Sequence, residues 1–251
     1  MPFTVSHVAA VLPVVGRSGR LPAAALVIGS MAPDYPWFLT RGRTAGLSHS
    51  LLGIVTVDLA VGLLAVALWR LGAQAPVRDL APRGVGERLP QPAGLAVRDL
   101  PWAALGVVLG ALTHVVWDSF THAGRWGVEV VPWLHTEHLG LPGYTWAQYA
   151  SGLLGLLVLA TWSLRRLGAA VPDDTGLRST PHDRRGAWCL VAAGAAVGAL
   201  AGVMRATGST ESLVLGVVTF GGTGLAVGVV LACALWQARV ARPADAPGPR
   251  G

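Results

Sequence analysis

Three polar side chains recur at intervals of four residues near the end of an apolar segment: His114, Asp118 and His122. Residues four apart lie on one face of an α-helix, so a helix here places all three in a single stripe. A carboxylate and two imidazoles beside hydrocarbon are costly unless they face a partner, a cavity or a metal ion. The spacing therefore predicts a functional site on this helix face.

Helix geometry limits how these three side chains can share an ion. His114 and Asp118 are separated by about 6 Å of helix rise, which their side chains can close on one ion. His114 and His122 are separated by roughly 12 Å, whereas a zinc–nitrogen bond is only about 2 Å, so one ion cannot take both from a regular helix. His122 then serves a second ion, the surroundings of the ligands or the substrate. An alternative without an ion is equally open, in which His114 and Asp118 hydrogen-bond each other and neighbouring carbonyls.

Other candidate ligands lie in the first fifty residues. They are His7 in the sequence VSH, Asp34 in GSMAPD and His49 in LSHS. Nitrogen and carboxylate donors suit zinc, and also manganese or iron. The sequence therefore predicts a divalent metal ion, zinc in the first place, with ligands drawn from His7, Asp34, His49, His114, Asp118 and His122.

The composition is that of a membrane protein. The chain has 251 residues, of which 53% are hydrophobic and only 13% charged, and its mean hydropathy is +0.54. Soluble domains carry roughly 25% charged residues. The formal net charge of +6 comes from arginines that lie between apolar segments without interleaved aromatic residues, which argues against nucleic-acid binding.

The apolar segments predict an all-α integral membrane helical bundle with about five transmembrane helices. The predicted spans are 50–71, 101–121, 146–164, 187–204 and 213–236, preceded by short re-entrant or interfacial helices at 7–15 and 21–31. A poorly ordered polar loop is expected at 72–99. The predicted organisation is a metal-site-bearing membrane domain (1–165), a cytoplasmic linker (166–186), a C-terminal two-helix membrane hairpin (187–238) and a disordered tail (239–251).

The distribution of arginines predicts the orientation. With five spans, thirteen arginines fall on one side of the membrane and six on the other. Because cytoplasmic loops are enriched in Arg, the thirteen are expected in the cytoplasm. The candidate ligands, among them His7 and Asp118, then lie at the extracytoplasmic face of a bacterial cytoplasmic membrane. Asp58, on the first span, is expected at a contact between helices.

Four motifs carry a resemblance to known families: MPFTVSH, GSMAPD, SHSLLG and THVVWDSFTHAG. They resemble an uncharacterised bacterial family of integral membrane proteins with a domain of unknown function, over residues 1 to about 165. That family is similar to membrane-bound metal-dependent hydrolases, and the order of motifs also resembles the zinc-dependent phospholipase C fold. The resemblance implies that His7, Asp34, His49, His114 and Asp118 are ligands of a zinc cluster that activates water, with His122 a ligand of a further ion. The phospholipase pattern continues with a His-x3-Glu pair, for which this chain offers only His135, Glu137 and His138 at a different spacing.

Two functions follow from these observations. The first is a metal-dependent hydrolase acting on a phosphoester or lipid-type substrate, with Asp34 or Asp118 as the catalytic base and Arg125, Arg41 or Arg43 meeting an anionic group. The second is a non-catalytic membrane protein in which the His/Asp cluster is structural. A transporter is less favoured, since the polar residues gather at one face and not at the midplane. Membrane lipid is the expected partner, and the substrate, the number of ions and the oligomeric state stay open.

Overall fold

The computed structural model describes residues 4–17, 19–36 and 45–240. Five helices within these ranges are long and apolar enough to span a membrane: Leu51–Leu80, Val97–Asp118, Gly143–Ala169, Pro181–Arg205 and Ser212–Val240. The predicted fold class, an all-α integral membrane helical bundle with about five transmembrane helices, is confirmed. The predicted tail lies outside the described residues from position 241 onward.

The helices are numbered here in chain order. They are α1 (Val8–Val11), α2 (Ala23–Gly29), α3 (Ala45–Ser48), α4 (Leu51–Leu80), α5 (Arg83–Gly86), α6 (Leu100–Asp118), α7 (Trp126–Val130), α8 (Pro132–His135), α9 (Gly143–Ala169), α10 (Pro181–Arg205) and α11 (Thr210–Val240). Short 3-10 turns occupy Thr4–His7, Ala32–Asp34 and Val97–Asp99, and α4 contains two π-helical segments, Ile54–Asp58 and Trp69–Ala73. Strands β1 (Glu137–His138) and β2 (Leu141–Pro142) pair antiparallel.

Four of the five spanning helices extend beyond the apolar segments that predicted them. Helix α6 instead ends at Asp118, three residues before the predicted end at 121, so His122 lies in the turns that follow the helix and the prediction of all three polar residues on one helix is wrong for His122.

Helix α4 continues to Leu80, and α5 follows it, so the prediction of a poorly ordered loop from residue 72 is wrong for this part of the chain. Two charged residues explain the extension of α4 to Leu80. Arg78 and Asp79 are buried and find hydrogen-bond partners, so the polar end of α4 is stable as helix. The predicted linker 166–186 begins inside α9 and ends inside α10.

The described chain forms two compact units. The first takes in the described residues up to Trp69 together with Leu95–Gly168, and the second takes in Arg70–Gly94 together with the described residues from Ala169 onward. In the first unit, α2 packs against α6 with almost no side chain between the two backbones. A Cβ atom on Gly110 would lie 2.5 Å from both the carbonyl oxygen of Leu26 and the backbone nitrogen of Ser30. Only glycine permits this approach, which brings Ser30 against the last turns of α6.

The beginning of α4 lies against the same region of the first unit. Ser50 caps the helix by accepting a hydrogen bond from the backbone N–H of Gly53 at 3.0 Å. The π-helical segment Ile54–Asp58 contacts α6 and the turn Ala32–Asp34. Asp58 is fully buried there, and neither of its carboxylate oxygens has a hydrogen-bond partner among the described residues. The segment's contact with α6 agrees with the helix–helix contact predicted for Asp58.

In the second unit, α10 and α11 form a tightly packed hairpin. Glycines recur on both helices, and a Cβ atom on Gly194, Gly198 or Gly202 would clash with the backbone of α11. The small residues that predicted close helix packing therefore lie at the contact. Helix α10 begins with a capping box, in which Thr180 and Asp183 satisfy each other's backbone N–H groups.

Candidate metal centre

Three segments of the first unit bring four of the predicted ligands together. Asp34 ends the 3-10 turn Ala32–Asp34, and His49 directly follows α3. His114 and Asp118 lie one turn apart on the last part of α6. One donor atom from each of the four residues lies within 4.8 Å of the other three, so this group can hold a metal ion. The predicted stripe on α6 thus finds its partners in the first fifty residues of the chain.

Four of the six separations between the donor atoms match the spacing around a four-coordinate ion, and the other two are within 4.8 Å. His49 Nε2 lies 3.5 Å from Asp34 Oδ1 and 3.3 Å from Asp118 Oδ2. His114 Nε2 lies 3.6 Å from Asp34 Oδ1 and 3.4 Å from Asp118 Oδ2. With metal–ligand bonds of about 2 Å, neighbouring donors of a tetrahedral site are about 3.3 Å apart. These separations are longer than good N–H···O hydrogen bonds and close to that edge length.

Because the four residues are buried, their polar atoms are energetically unfavourable unless an ion or another partner binds them. Asp34, His49, His114 and Asp118 are exposed by no more than 4%. Within the part of the chain that the structure describes, Asp34 Oδ1 and His114 Nε2, both of which face the centre, have no hydrogen-bond partner. Buried polar atoms are almost always satisfied, and a bound ion is one way to satisfy several at once. The residues present therefore fit a divalent cation.

Surrounding contacts orient the ligands. His114 Nδ1 lies 2.8 Å from the carbonyl oxygen of Ser30, which can only accept, so Nδ1 carries a proton. A neutral imidazole in this tautomer directs the lone pair of Nε2 into the group, the arrangement usual for metal-bound histidine. Thr4 Oγ1 donates to Asp34 Oδ2 at 2.5 Å, and Ser48 Oγ lies 3.1 Å from His49 Nδ1. Each of these contacts leaves the other donor atom facing the centre.

The second oxygen of Asp118 faces a different set of groups. Its Oδ1 lies 3.4 Å from His7 Nε2 and 3.3 Å from His122 Nδ1, and the His7 ring stacks on His114 with centroids 3.9 Å apart. A cavity of about 20 Å³, lined in part by His7, Asp118, His122 and Gln148, opens beside them. That volume suffices for one water molecule. His7 and His122 thus lie outside the four-donor group: both contact Asp118, and His7 also contacts His114.

Titration of the groups outside the spanning helices follows from burial and from the neighbouring charges. Burial, and then the nearby His114, lower the pKa of His7 to about 4. Burial alone would raise the pKa of Asp34, but its contacts with His114 and His49 outweigh it and hold that pKa well below the usual range. Burial opposes protonation of His49 too, yet the carboxylates of Asp118 and Asp34 raise its pKa overall. Burial lowers the pKa of His122. At neutral pH Asp34 is therefore ionised and His7 is neutral.

Several residues near the centre were not recognised in the sequence. Ser30 contributes only a backbone carbonyl, and Gly110 contributes only the absence of a side chain, so neither carries a chemical signature. Arg125 was a candidate for anion binding, and its Nη1 donates to the carbonyl oxygen of His49 at 3.3 Å. Arg41 and Arg43, proposed for the same role, lie outside the described residues.

The residues that stand in for the phospholipase His-x3-Glu pair are elsewhere. His135 Nδ1 lies 3.3 Å from the carbonyl oxygen of Val128, and His138 Nε2 lies 3.0 Å from that of Trp133. Both imidazoles contact local backbone and take no part in the four-donor group. A third metal position built on them has no support in the described residues.

The comparisons with known proteins identify a family but no function. Residues 1–234 match a family described as a domain of unknown function, DUF4184. Neither a curated protein nor a solved structure matches the chain. The resemblance to metal-dependent hydrolases therefore rests on the motifs of the sequence, and the function must be argued from the geometry of the site.

Proposed function

The chain belongs to DUF4184, a family of unknown function, and we propose that it is a membrane-bound metal-dependent hydrolase. The observation that carries the proposal is the buried group of two imidazoles and two carboxylates, whose donor atoms have the spacing of a four-coordinate ion. The mixed nitrogen and oxygen donors favour zinc, with manganese or iron as alternatives. Asp34, His49, His114 and Asp118 would hold the ion, which would polarise a phosphoryl or acyl oxygen and lower the pKa of a water molecule.

Of the two predicted catalytic carboxylates, the geometry favours Asp118. One oxygen of Asp34 faces the centre and the other accepts a hydrogen bond from Thr4, so both are engaged. Asp118 keeps Oδ1 at the water-sized cavity, between His7 and His122. A proton released from a water molecule in this cavity therefore has an acceptor within reach, and the imidazoles beside it can pass the proton outward.

The substrate that we propose is a phosphoester or a lipid-type ester at headgroup depth. His49 lies two residues before the start of the first spanning helix, and Asp118 is the last residue of the second. Both positions place the group near the end of hydrocarbon-spanning segments, where lipid headgroups lie. The distribution of arginines supports the extracytoplasmic side. Arg125, beside His49, is a fixed cation that can meet an anionic headgroup.

Metal content and turnover together test this proposal. The full chain is purified in detergent after growth with zinc, manganese or iron, and bound metal is measured by elemental mass spectrometry. We expect at least one ion per chain in the wild type and its loss in Asp34→Asn and His114→Ala. Asp58→Asn is the matched control, because Asp58 is equally buried in the same unit but lies outside the four-donor group. Hydrolysis of a chromogenic phosphodiester and of phospholipid vesicles is then compared across the same proteins.

Two outcomes would contradict the proposal. A wild-type protein that is metal-free under all three growth conditions would remove its basis. A metal-loaded protein that cleaves no phosphodiester or ester would favour a second function, in which the ion is structural. One observation already speaks for that alternative: four protein donors make a closed site, which is typical of structural ions, whereas catalytic sites usually keep one position for water. The structural alternative predicts that chelation lowers the melting temperature and that no activity accompanies the metal.

A further inference from the structure

The second unit contains a pair of buried charges that the metal centre does not use. Arg78 and Asp79, at the end of α4, are each only 2% exposed. Arg78 donates to the carbonyl oxygens of Thr175 at 2.8 Å and Asp173 at 2.5 Å. Asp79 accepts from the backbone N–H groups of Arg178 at 2.8 Å and Ser179 at 3.0 Å. Two adjacent buried charges thus fix the backbone of the segment 173–179, which lies within the linker predicted at 166–186.

The segment 173–179 carries one exposed cationic side chain, that of Arg178. The side chain of Arg178 is exposed, and its guanidinium has no hydrogen-bond or ion-pair partner among the residues that the structure describes. Arg178 lines two neighbouring cavities of about 420 and 430 Å³, and Arg83 and Arg184 also line the second. A guanidinium that is held in place beside two cavities is a preorganised donor for an anion.

The carboxylates around these cavities already have partners, and Asp174, which lines the second cavity, lies 3.8 Å from Arg83 Nη2. Asp79 also accepts from the hydroxyl of Ser179 at 2.8 Å and from Trp236 Nε1 at 2.6 Å. Asp183 accepts from Thr180 at 2.8 Å and pairs with Arg239. These acids therefore cannot neutralise Arg178 without giving up bonds that they already make. Among the described residues that line the cavities, Arg178 is therefore a cation without a carboxylate partner.

The other wall of the 420 Å³ cavity is apolar. Leu190 on α10 and Ala232 and Leu235 on α11 line it, next to Leu80. The cavity lies where α4 ends, α10 begins at Pro181 and α11 ends at Val240. Ends of membrane-length helices mark the boundary between hydrocarbon and headgroups. A ligand that is complementary to this cavity has an anionic group at one end and a hydrocarbon chain at the other.

We propose that these two cavities bind an anionic membrane lipid. Arg178 holds the phosphate of its headgroup, and the start of an acyl chain lies along Leu190 and Leu235. Arg184 adds positive charge beside it, although its Nε donates to the carbonyl oxygen of Asp79 at 3.0 Å. Basic recesses between spanning helices are suited to such headgroups, because guanidinium groups bind phosphate oxygens in a forked geometry. Inorganic phosphate offers the same anion without the hydrocarbon, so the experiment has to distinguish the two.

The experiment uses the full chain in nanodiscs of phosphatidylcholine with a minor fraction of phosphatidylglycerol. Lipid retained through detergent extraction is quantified by native mass spectrometry. We expect the wild type to retain phosphatidylglycerol over phosphatidylcholine, and Arg178→Gln to weaken this binding about ten-fold, since a charge-assisted hydrogen bond is lost. Arg185→Gln is the matched control, because Arg185 is the exposed neighbour of Arg184 and lines neither cavity.

A second pair of variants tests the apolar wall. Ala232→Trp and Ala187→Phe fill the 420 Å³ cavity and leave every arginine in place. We expect either variant, provided that its melting temperature is unchanged, to lose the retained lipid. The proposal is overturned if Arg185→Gln weakens retention as much as Arg178→Gln, which would indicate general surface attraction. It is also overturned if inorganic phosphate alone binds the wild type and both filled variants equally while no lipid is retained.

Discussion

Replacing Gly110 with alanine tests whether the contact between two backbones controls metal binding. The added Cβ atom would lie 2.5 Å from both Leu26 O and Ser30 N, whereas ordinary contact begins at 3.4 Å. Helix α2 must therefore move away from α6 by about 0.9 Å, the difference between these two distances. The same movement lengthens the 2.8 Å contact between the Ser30 carbonyl and His114 Nδ1 beyond hydrogen-bonding distance.

The expected cost has two parts. Overpacking of a tight contact costs about 1–3 kcal/mol, and the lost hydrogen bond adds about 1 kcal/mol. The orientation of His114 is lost as well, and groups that orient a metal ligand are worth about 10- to 100-fold in affinity. We therefore expect Gly110→Ala to unfold at lower temperature and to bind zinc about 10- to 100-fold more weakly.

Thermal denaturation and competition with a fluorescent zinc chelator measure the two effects. Gly168→Ala serves as the control, because a Cβ atom at Gly168 meets nothing within 4 Å in the same unit. Zinc affinity unchanged in Gly110→Ala, at a melting temperature that shows the packing defect, would refute the reasoning. It would mean that the Ser30 carbonyl does not orient His114 for an ion.

Three further predictions concern the same centre. In metal-stripped protein, His7 has a folded pKa of about 4 against an ordinary value of 6.5, so the unfolded chain binds the proton first. The contribution of neutral His7 to stability is present above pH 6.5 and is lost as the pH falls towards 4. In His7→Gln, the melting temperature should therefore depend less on pH across this range. In metal-loaded protein, a chelator should remove about 4 kcal/mol of stabilisation where the free ion is about a thousand-fold above its dissociation constant. Asp118→Asn should abolish this response in calorimetry, and a response equal to the wild type would rule out Asp118 as a ligand. Thr4→Val removes the donor to Asp34 and should weaken zinc binding about ten-fold in the chelator competition, whereas an unchanged affinity would show that Asp34 needs no such support.

Much of the centre could be predicted because its residues have strong chemical signatures. Imidazoles and carboxylates in apolar surroundings are rare, and the interval from His114 to Asp118 fixes their common helix face. The membrane spans were equally accessible from hydropathy. The sequence also indicated that His122 could not join His114 on one ion, and the structure places it on the far oxygen of Asp118.

The remaining features depend on contacts that leave no periodic pattern. The sequence around Arg78 and Asp79 predicts a loop, whereas the structure has the end of a helix there. The helix end is stabilised by hydrogen bonds to residues about 100 positions later in the chain, which a local sequence pattern does not indicate. The role of Ser30 is a backbone carbonyl, which any residue type could supply. The meeting of Asp34 with α6 depends on the glycine contact, and glycines are too common in this chain to single out Gly110.

The donors of the candidate centre are spread over 85 positions from Asp34 to Asp118. Because of this separation in the chain, the centre can form only at a late stage of biogenesis. When the ribosome has made only the first 100 residues, half of the donors do not yet exist. The pocket closes only after the second transmembrane segment has left the translocation machinery and packed against α2. Under the proposed function, ion loading would follow membrane insertion, and any metal supplier would have to reach a chain that is already embedded in lipid.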